Sequence, residues 1–189
     1  MQENSYTTLR QSPIPDTSQR AHRGDMSHTT RPRRPGHAAL RRGRVSEAGR
    51  YYLLTSVTRQ RLPRFAAFDA GCRVAAVISD ARLWRESRVL AWVLMPDHWH
   101  GLIELGGADR LDGLMCRMKT NTARAVRGPG EVARPLWARA FHDRALRREE
   151  DVSAVARYVV ANPLRAGLVQ RLGDYPFWDA VWLTPDFVL

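Results

Sequence analysis

His98 and His100 flank a single tryptophan, Trp99, in a stretch that alternates polar and apolar residues. On a β-strand, residues two apart share a face, so both imidazoles project together, about 7 Å apart at the backbone. Two neutral imidazole nitrogens so placed suit one metal ion. Two partly exposed strand histidines with no ligand have the same spacing, so the pair alone leaves both readings open. Sixty residues further along, Tyr158 and Asn162 stand four apart in a segment with helical apolar spacing, which sets them on one helix face. Tyrosine offers a phenolic nucleophile, and the asparagine carbonyl oxygen is a donor that hard divalent ions accept. The plainer reading is a half-buried aromatic at 158 and a helix-ending residue before Pro163.

The elements that must position these groups follow from periodicity and turn chemistry. Tyr51–Thr58 is β-branched and aromatic and reads as a strand. Phe65 to Ser79 has helical spacing, with Gly71 as a weak point. Arg88–Leu94 and His98–Leu105 read as two strands joined through the turn Met95-Pro96-Asp97, an antiparallel pair. Leu111 to Val126 is a second helix, ended by Gly128-Pro129-Gly130. Trp137–Leu146 reads as a fourth strand. Glu149–Ala166 reads as a last helix, closed by Gly167. The order βαββαβ plus one helix is the ferredoxin-like α+β sandwich, an antiparallel sheet with helices on one face. Right-handed crossovers put its first and third strands at the centre, and the third carries the histidines.

Charge narrows the partner. Of 189 residues, 30 are basic against 19 acidic, a formal net charge of +11, and Lys119 is the only lysine. Arginine pairs with phosphate through two parallel hydrogen bonds and stacks on bases, so such a surplus points to nucleic acid. A GC-rich coding sequence would also favour arginine. Residues 1–43 are rich in Ser, Thr, Pro, Gln and Arg and poor in large aliphatics, the composition of a flexible basic arm that lacks a signal-peptide core. Residues 44–189 are expected to form one domain. Cys72 and Cys116 lie in no metal or redox pair, and no run of roughly eighteen apolar residues predicts a membrane span. A cytoplasmic, nucleoid-associated protein is expected.

Four segments together carry a resemblance. Leu94-Met-Pro-Asp97-His98-Trp-His100-Gly-Leu-Ile103 resembles the histidine–hydrophobe–histidine (HUH) signature of the IS200-like, single-tyrosine transposases. Tyr158-Val-Val-Ala-Asn162-Pro-Leu-Arg165-Ala-Gly-Leu168 resembles that family's tyrosine helix as it occurs in the REP-associated branch. Trp137–Arg144 is similar to the segment that precedes this helix, and Gly49–Thr55 to the first strand. Asp97 stands where the family commonly has asparagine, a departure expected to have no consequence.

The resemblance implies a metal-dependent single-stranded DNA endonuclease and strand transferase. Tyr158 would attack a phosphodiester and leave a 5′-phosphotyrosine. His98, His100 and Asn162 would hold Mg²⁺ or Mn²⁺, with Asn162 the ligand in which family members vary. The implied substrate is a palindromic repeat folded into a hairpin with a single-stranded foot, bound by a monomer or a homodimer. Basic residues that could grip its backbone are Arg44, Arg50, Arg59 and Arg61 near the first strand, and Arg117, Lys119, Arg124 and Arg127 near the second helix. The competing reading is a non-cleaving structural or regulatory hairpin binder with the same fold. A small-molecule metallohydrolase fits the charge poorly, and no HExxH helix is present.

Overall fold

The computed structural model describes residues 46–128, 134–147 and 150–182, all within the unit Pro35–Leu189. The arm, residues 1–43, and Arg44 lie outside them. The elements are β1 (Tyr51–Val57), α1 (Phe68–Ser79), α2 (Ala81–Trp84), β2 (Arg88–Met95), β3 (His98–Glu104), α3 (Leu111–Ala125), β4 (His142–Ala145), α4 (Val152–Val160), α5 (Asn162–Arg165) and β5 (Trp178–Ala180). The sheet runs β4-β1-β3-β2-β5, antiparallel throughout, so β1 and β3 are central as the crossover rule requires.

Each face of the sheet has its own cover. Tyr52 and Leu54 of β1, Trp92 and Leu94 of β2, and Trp99 and Ile103 of β3 pack with Val74 and Ile78 of α1 and Leu114, Met115 and Met118 of α3. The opposite face meets α4, through Leu102 against Ala156 and Val160. This double cover explains why Leu90 to Met95 is an unbroken buried run rather than an alternating one. The β2–β3 register shifts between Val89 and Ala91, a bulge that lets Leu90 and Ala91 both serve the α4 side. Among the described residues no helix is long and apolar enough to cross a membrane.

Three elements depart from their sequence-based outlines. The fourth strand shrinks from Trp137–Leu146 to His142–Ala145. Trp137 keeps one bridge to Thr58, but the carbonyls of Ala138 and Ala140 turn to the Lys119 ammonium, each at 2.8 Å, and leave the ladder. The last helix is broken at Ala161, because Pro163 cannot donate a backbone hydrogen bond. The short β5, which the sequence did not announce, pairs with β2 through Ala180 and Ala91. Tyr175 helps to fix this tail by donating its hydroxyl to the Leu94 carbonyl at 2.7 Å.

Candidate active site

Strand alternation sends Trp99 into the α1/α3 layer, where it is fully buried and stacked on Trp84 with ring centres 6.0 Å apart. His98 and His100 therefore emerge on the α4 face, their rings 4.8 Å apart and nearly perpendicular. Each imidazole has its Nδ1 engaged. Thr55 Oγ1, directly across on β1, lies 2.8 Å from His100 Nδ1, and Asp97 Oδ1 contacts His98 Nδ1. Both Nε2 atoms are left without a hydrogen-bond partner among the described residues, and they are the atoms available to a cation.

The electrostatics suit neutral ligands. Burial, helped by the neighbouring His98 and the positive charges of Arg165 and Arg61, pushes the His100 pKa down to about 4 against the pull of Asp97. Burial pushes the Asp97 carboxyl up, but its hydrogen bonds to His98 and Arg61 outweigh this and hold it below the usual carboxylate range. No cluster of three or more His, Cys, Asp or Glu converges among the described residues.

The α4–α5 segment stands over this face. Val159 packs on Val93 and Met95, the register partners of His100 and His98. Tyr158 is 59% exposed, although tyrosines on amphipathic helices usually bury their rings. The Arg165 guanidinium lies over its ring, 3.8 Å from the centre. The same guanidinium donates to the Tyr158 carbonyl at 2.7 Å and to Asn162 Oδ1 at 2.8 Å. Two histidines, a tyrosine, an asparagine and an arginine thus belong to one side of the sheet. Arg165 lies within the tyrosine motif, but the sequence did not single it out.

The basic residues fall into separate groups. Arg117 donates to Asp109 at 2.7 Å and to the Leu83 carbonyl, and Lys119 is committed to the 138–140 carbonyls. Arg50 pairs with Glu47 at 2.8 Å, and Arg61 with Asp97. Arg59 is exposed, its backbone N–H tied to Leu136. Arg124 and Arg127 are exposed at the end of α3. There Arg127 joins Arg64 and Arg134 around a hollow of about 540 Å³ floored by Phe65, Val126 and Leu136. The Phe65 N–H bonds the Pro96 carbonyl at 2.9 Å, so the hollow and the histidines sit at the same end of the sheet. Arg64 and Arg134 were missed in the sequence because they lie in loops, where no periodicity marks a shared surface.

Comparison with known proteins bears on this arrangement. A sequence model of the family described as "Transposase IS200 like" matches residues 48–162. The REP-associated tyrosine transposase of Escherichia coli (strain K12) is 27% identical over 93 residues, 49% of this chain; the chain spans about half, 54%, of the length of that relative. A solved structure of a REP-associated tyrosine transposase bound to a REP hairpin superposes with a TM-score of 0.56 at 21% identity, covering 71% of this chain and 79% of that one. That likeness bears out the α+β fold.

Proposed function

The chain belongs to the IS200-like transposase family, and on that premise we propose that it binds DNA hairpins formed by palindromic repeats and cleaves the flanking single strand with Tyr158. The observation that supports the reading is Val159 seated on Val93 and Met95, the register partners of the two histidines, next in sequence to an exposed tyrosine with an arginine over its ring. The hairpin in the related solved structure supports the choice of substrate.

In this reading Tyr158 Oη attacks the phosphorus of the scissile diester and loses its proton to solvent. The P–O3′ bond breaks, and its electron pair leaves on the 3′ oxygen, which takes up a proton. The 5′ phosphate remains on the tyrosine, so a later 3′-OH can reverse the step. Arg165 supplies positive charge beside the ring as the phenolic oxygen turns anionic. His98 and His100 would hold a divalent cation, Mg²⁺ or Mn²⁺, which would supply charge stabilisation to the reacting phosphate. Asn162 is the third donor in this reading, and its Oδ1 must first release Arg165. The donor set fits such an ion at the two imidazoles, whose Nδ1 contacts leave the metal-facing nitrogens open. In this reading one chain carries all these residues, and the working form is a monomer or a homodimer. The hollow lined by Arg64, Arg127 and Arg134 is the best candidate track for the single strand, with phosphates on the arginines and an apolar floor for a base.

A repeat hairpin with a labelled single-stranded flank tests the proposal. The wild type should cut it in Mn²⁺ and retain a covalent label on a denaturing gel. Tyr158→Phe should do neither, while its hairpin affinity stays within a few fold. Cutting by the phenylalanine variant would remove Tyr158 as nucleophile, and tight binding by a wild type that never cuts would favour the regulatory binder.

A further inference from the structure

We propose that Asp97 is a positioning residue that fixes the His98 ring for its cation, and that Arg61 fixes Asp97 in turn. The inference rests on the cation reading above and adds two residues to it. Asp97 is the second residue of the two-residue turn between β2 and β3, immediately before His98. Its Oδ1 contacts His98 Nδ1, and its Oδ2 accepts from Arg61 Nη1 at 2.9 Å, so both oxygens are used. An ionised carboxylate can only accept hydrogen bonds. His98 must therefore carry its proton on Nδ1 and present the Nε2 lone pair to the cation. His100 differs, since its Nδ1 partner is the Thr55 hydroxyl, which can donate or accept and leaves the tautomer open. The accepting oxygen in the turn thus decides the tautomer of one ligand, in the manner by which outer-sphere carboxylates orient metal-bound histidines.

The backbone around Arg61 points the same way. Gln60 and Arg61 both adopt left-handed conformations, at φ 60° and 53°, which non-glycine residues disfavour. The turn is held by Thr58 Oγ1 donating to the Leu62 carbonyl at 2.7 Å, by Arg61 N–H to Thr58 at 3.1 Å, and by Thr58 N–H to the Asp97 carbonyl at 2.8 Å. Strain and hydrogen bonds together aim one arginine at one carboxylate thirty-six positions away. The Arg61 side chain is 67% exposed, and an ion pair so open adds little to stability. Orientation of the turn carboxylate is the role its geometry does serve.

The test combines ¹⁵N NMR of the histidine rings in metal-free full-length protein with Mn²⁺ titration followed by EPR. Wild-type His98 should be the Nδ1–H tautomer. Asp97→Ala should move it toward Nε2–H and weaken Mn²⁺ binding by about ten- to a hundred-fold. Asp97→Asn keeps an accepting oxygen without the charge; it should hold the tautomer and weaken Mn²⁺ less. Arg61→Ala should fall between wild type and Asp97→Ala, and Arg61→Lys should restore part of the loss. Melting temperatures should stay within a few degrees of wild type. An Nε2–H tautomer in the wild type, or Asp97→Ala with unaltered tautomer and Mn²⁺ affinity, overturns the proposal. Should Asp97→Ala not fold, loss of the Nδ1–H tautomer in the folded Asp97→Asn protein would overturn it instead. A wild type that binds no Mn²⁺ defeats the cation reading, while the tautomer still decides whether Asp97 positions His98.

Discussion

The Asn162 side-chain amide donates to the Val159 carbonyl at 2.8 Å, the very carbonyl that Pro163, lacking an N–H, cannot satisfy from four residues ahead. This bond lets the chain pass from α4 to α5 without an orphaned acceptor. It also turns Oδ1 outward to Arg165. Asn162 is therefore a backbone cap first, and a cation donor only if that oxygen is released.

The two roles separate by substitution. Asn162→Ala takes the side-chain donor from the Val159 carbonyl and should cost about 0.5–1.5 kcal/mol in chemical denaturation. Asn162→Asp loses the same donor and should be destabilised to a similar degree, yet it keeps an oxygen for the cation. Mn²⁺ titration should then find binding retained in the aspartate variant and weakened in the alanine variant. Equal, wild-type-like Mn²⁺ affinity in both would reduce Asn162 to a cap.

The basic residues should divide between stability and DNA. Arg117 and Lys119 are spent on Asp109 and on the 138–140 carbonyls, so their alanine variants should melt lower. Arg124 and Arg127 are exposed at the end of α3 and should leave the melting temperature unchanged when truncated. Each should weaken hairpin binding and lower the slope of log affinity against log salt by roughly one. Hairpin affinity measured across a salt series checks this. An unaltered slope in Arg127→Ala would take the α3 end out of the interface.

What the sequence made legible was whatever repeats with a period. The His98-Trp99-His100 alternation is a strand signature, and it correctly divided the two histidines from the tryptophan. The central place of β1 and β3 followed from crossover handedness alone. Features that depend on one polar contact across long separations left no such trace. Arg61 reaches Asp97 across thirty-six positions, and Tyr175 reaches Leu94 across eighty-one. Lys119 draws the Ala138 and Ala140 carbonyls out of a plausible strand, which no reading of residues 137–146 would reveal. The break at Ala161 was legible in Pro163, but the overriding helical period of Val155, Val159 and Val160 hid it. Asp97 looked like a neutral departure because turn chemistry tolerates Asp and Asn alike; its contact with the neighbouring imidazole exists only once the strand is formed.

His100 gives the pH behaviour a definite sign. Its pKa falls from 6.5 to about 4 on folding, chiefly through burial. Between those values the unfolded chain takes up a proton that the native site refuses. Stability should therefore be full above pH 6.5, decline as the pH falls, and level off near 4, a loss of at most roughly 3 kcal/mol. Asp97 and Asp109, whose carboxyls are held below 3.8, lose their contributions only at lower pH, so the windows separate. Urea unfolding in EDTA across this range should show the slope in wild type and a flatter profile in His100→Gln. Equal slopes would mean that His100 is not the group responsible.

Gly101 underlies the histidine geometry from the opposite face. A Cβ there would lie 2.2 Å from Trp99 Cζ2 and 2.3 Å from Cη2, because the indole folds back along its own strand. Trp99 cannot yield easily, being fully buried and stacked on Trp84. Gly101→Ala must therefore displace the indole or bend β3, and overpacking of this kind costs typically about 1–3 kcal/mol. Since Trp99 sits between His98 and His100, the same displacement should weaken Mn²⁺ binding although no ligand is altered. Gly113 on α3 provides the contrast: a Cβ there meets nothing within 4 Å. In a helix interior Gly113→Ala should stabilise by roughly 0.5–1 kcal/mol and leave Mn²⁺ affinity unchanged. Denaturation and Mn²⁺ titration of the two variants side by side check the argument, and a Gly101→Ala protein as stable as wild type would show that the indole has room to move.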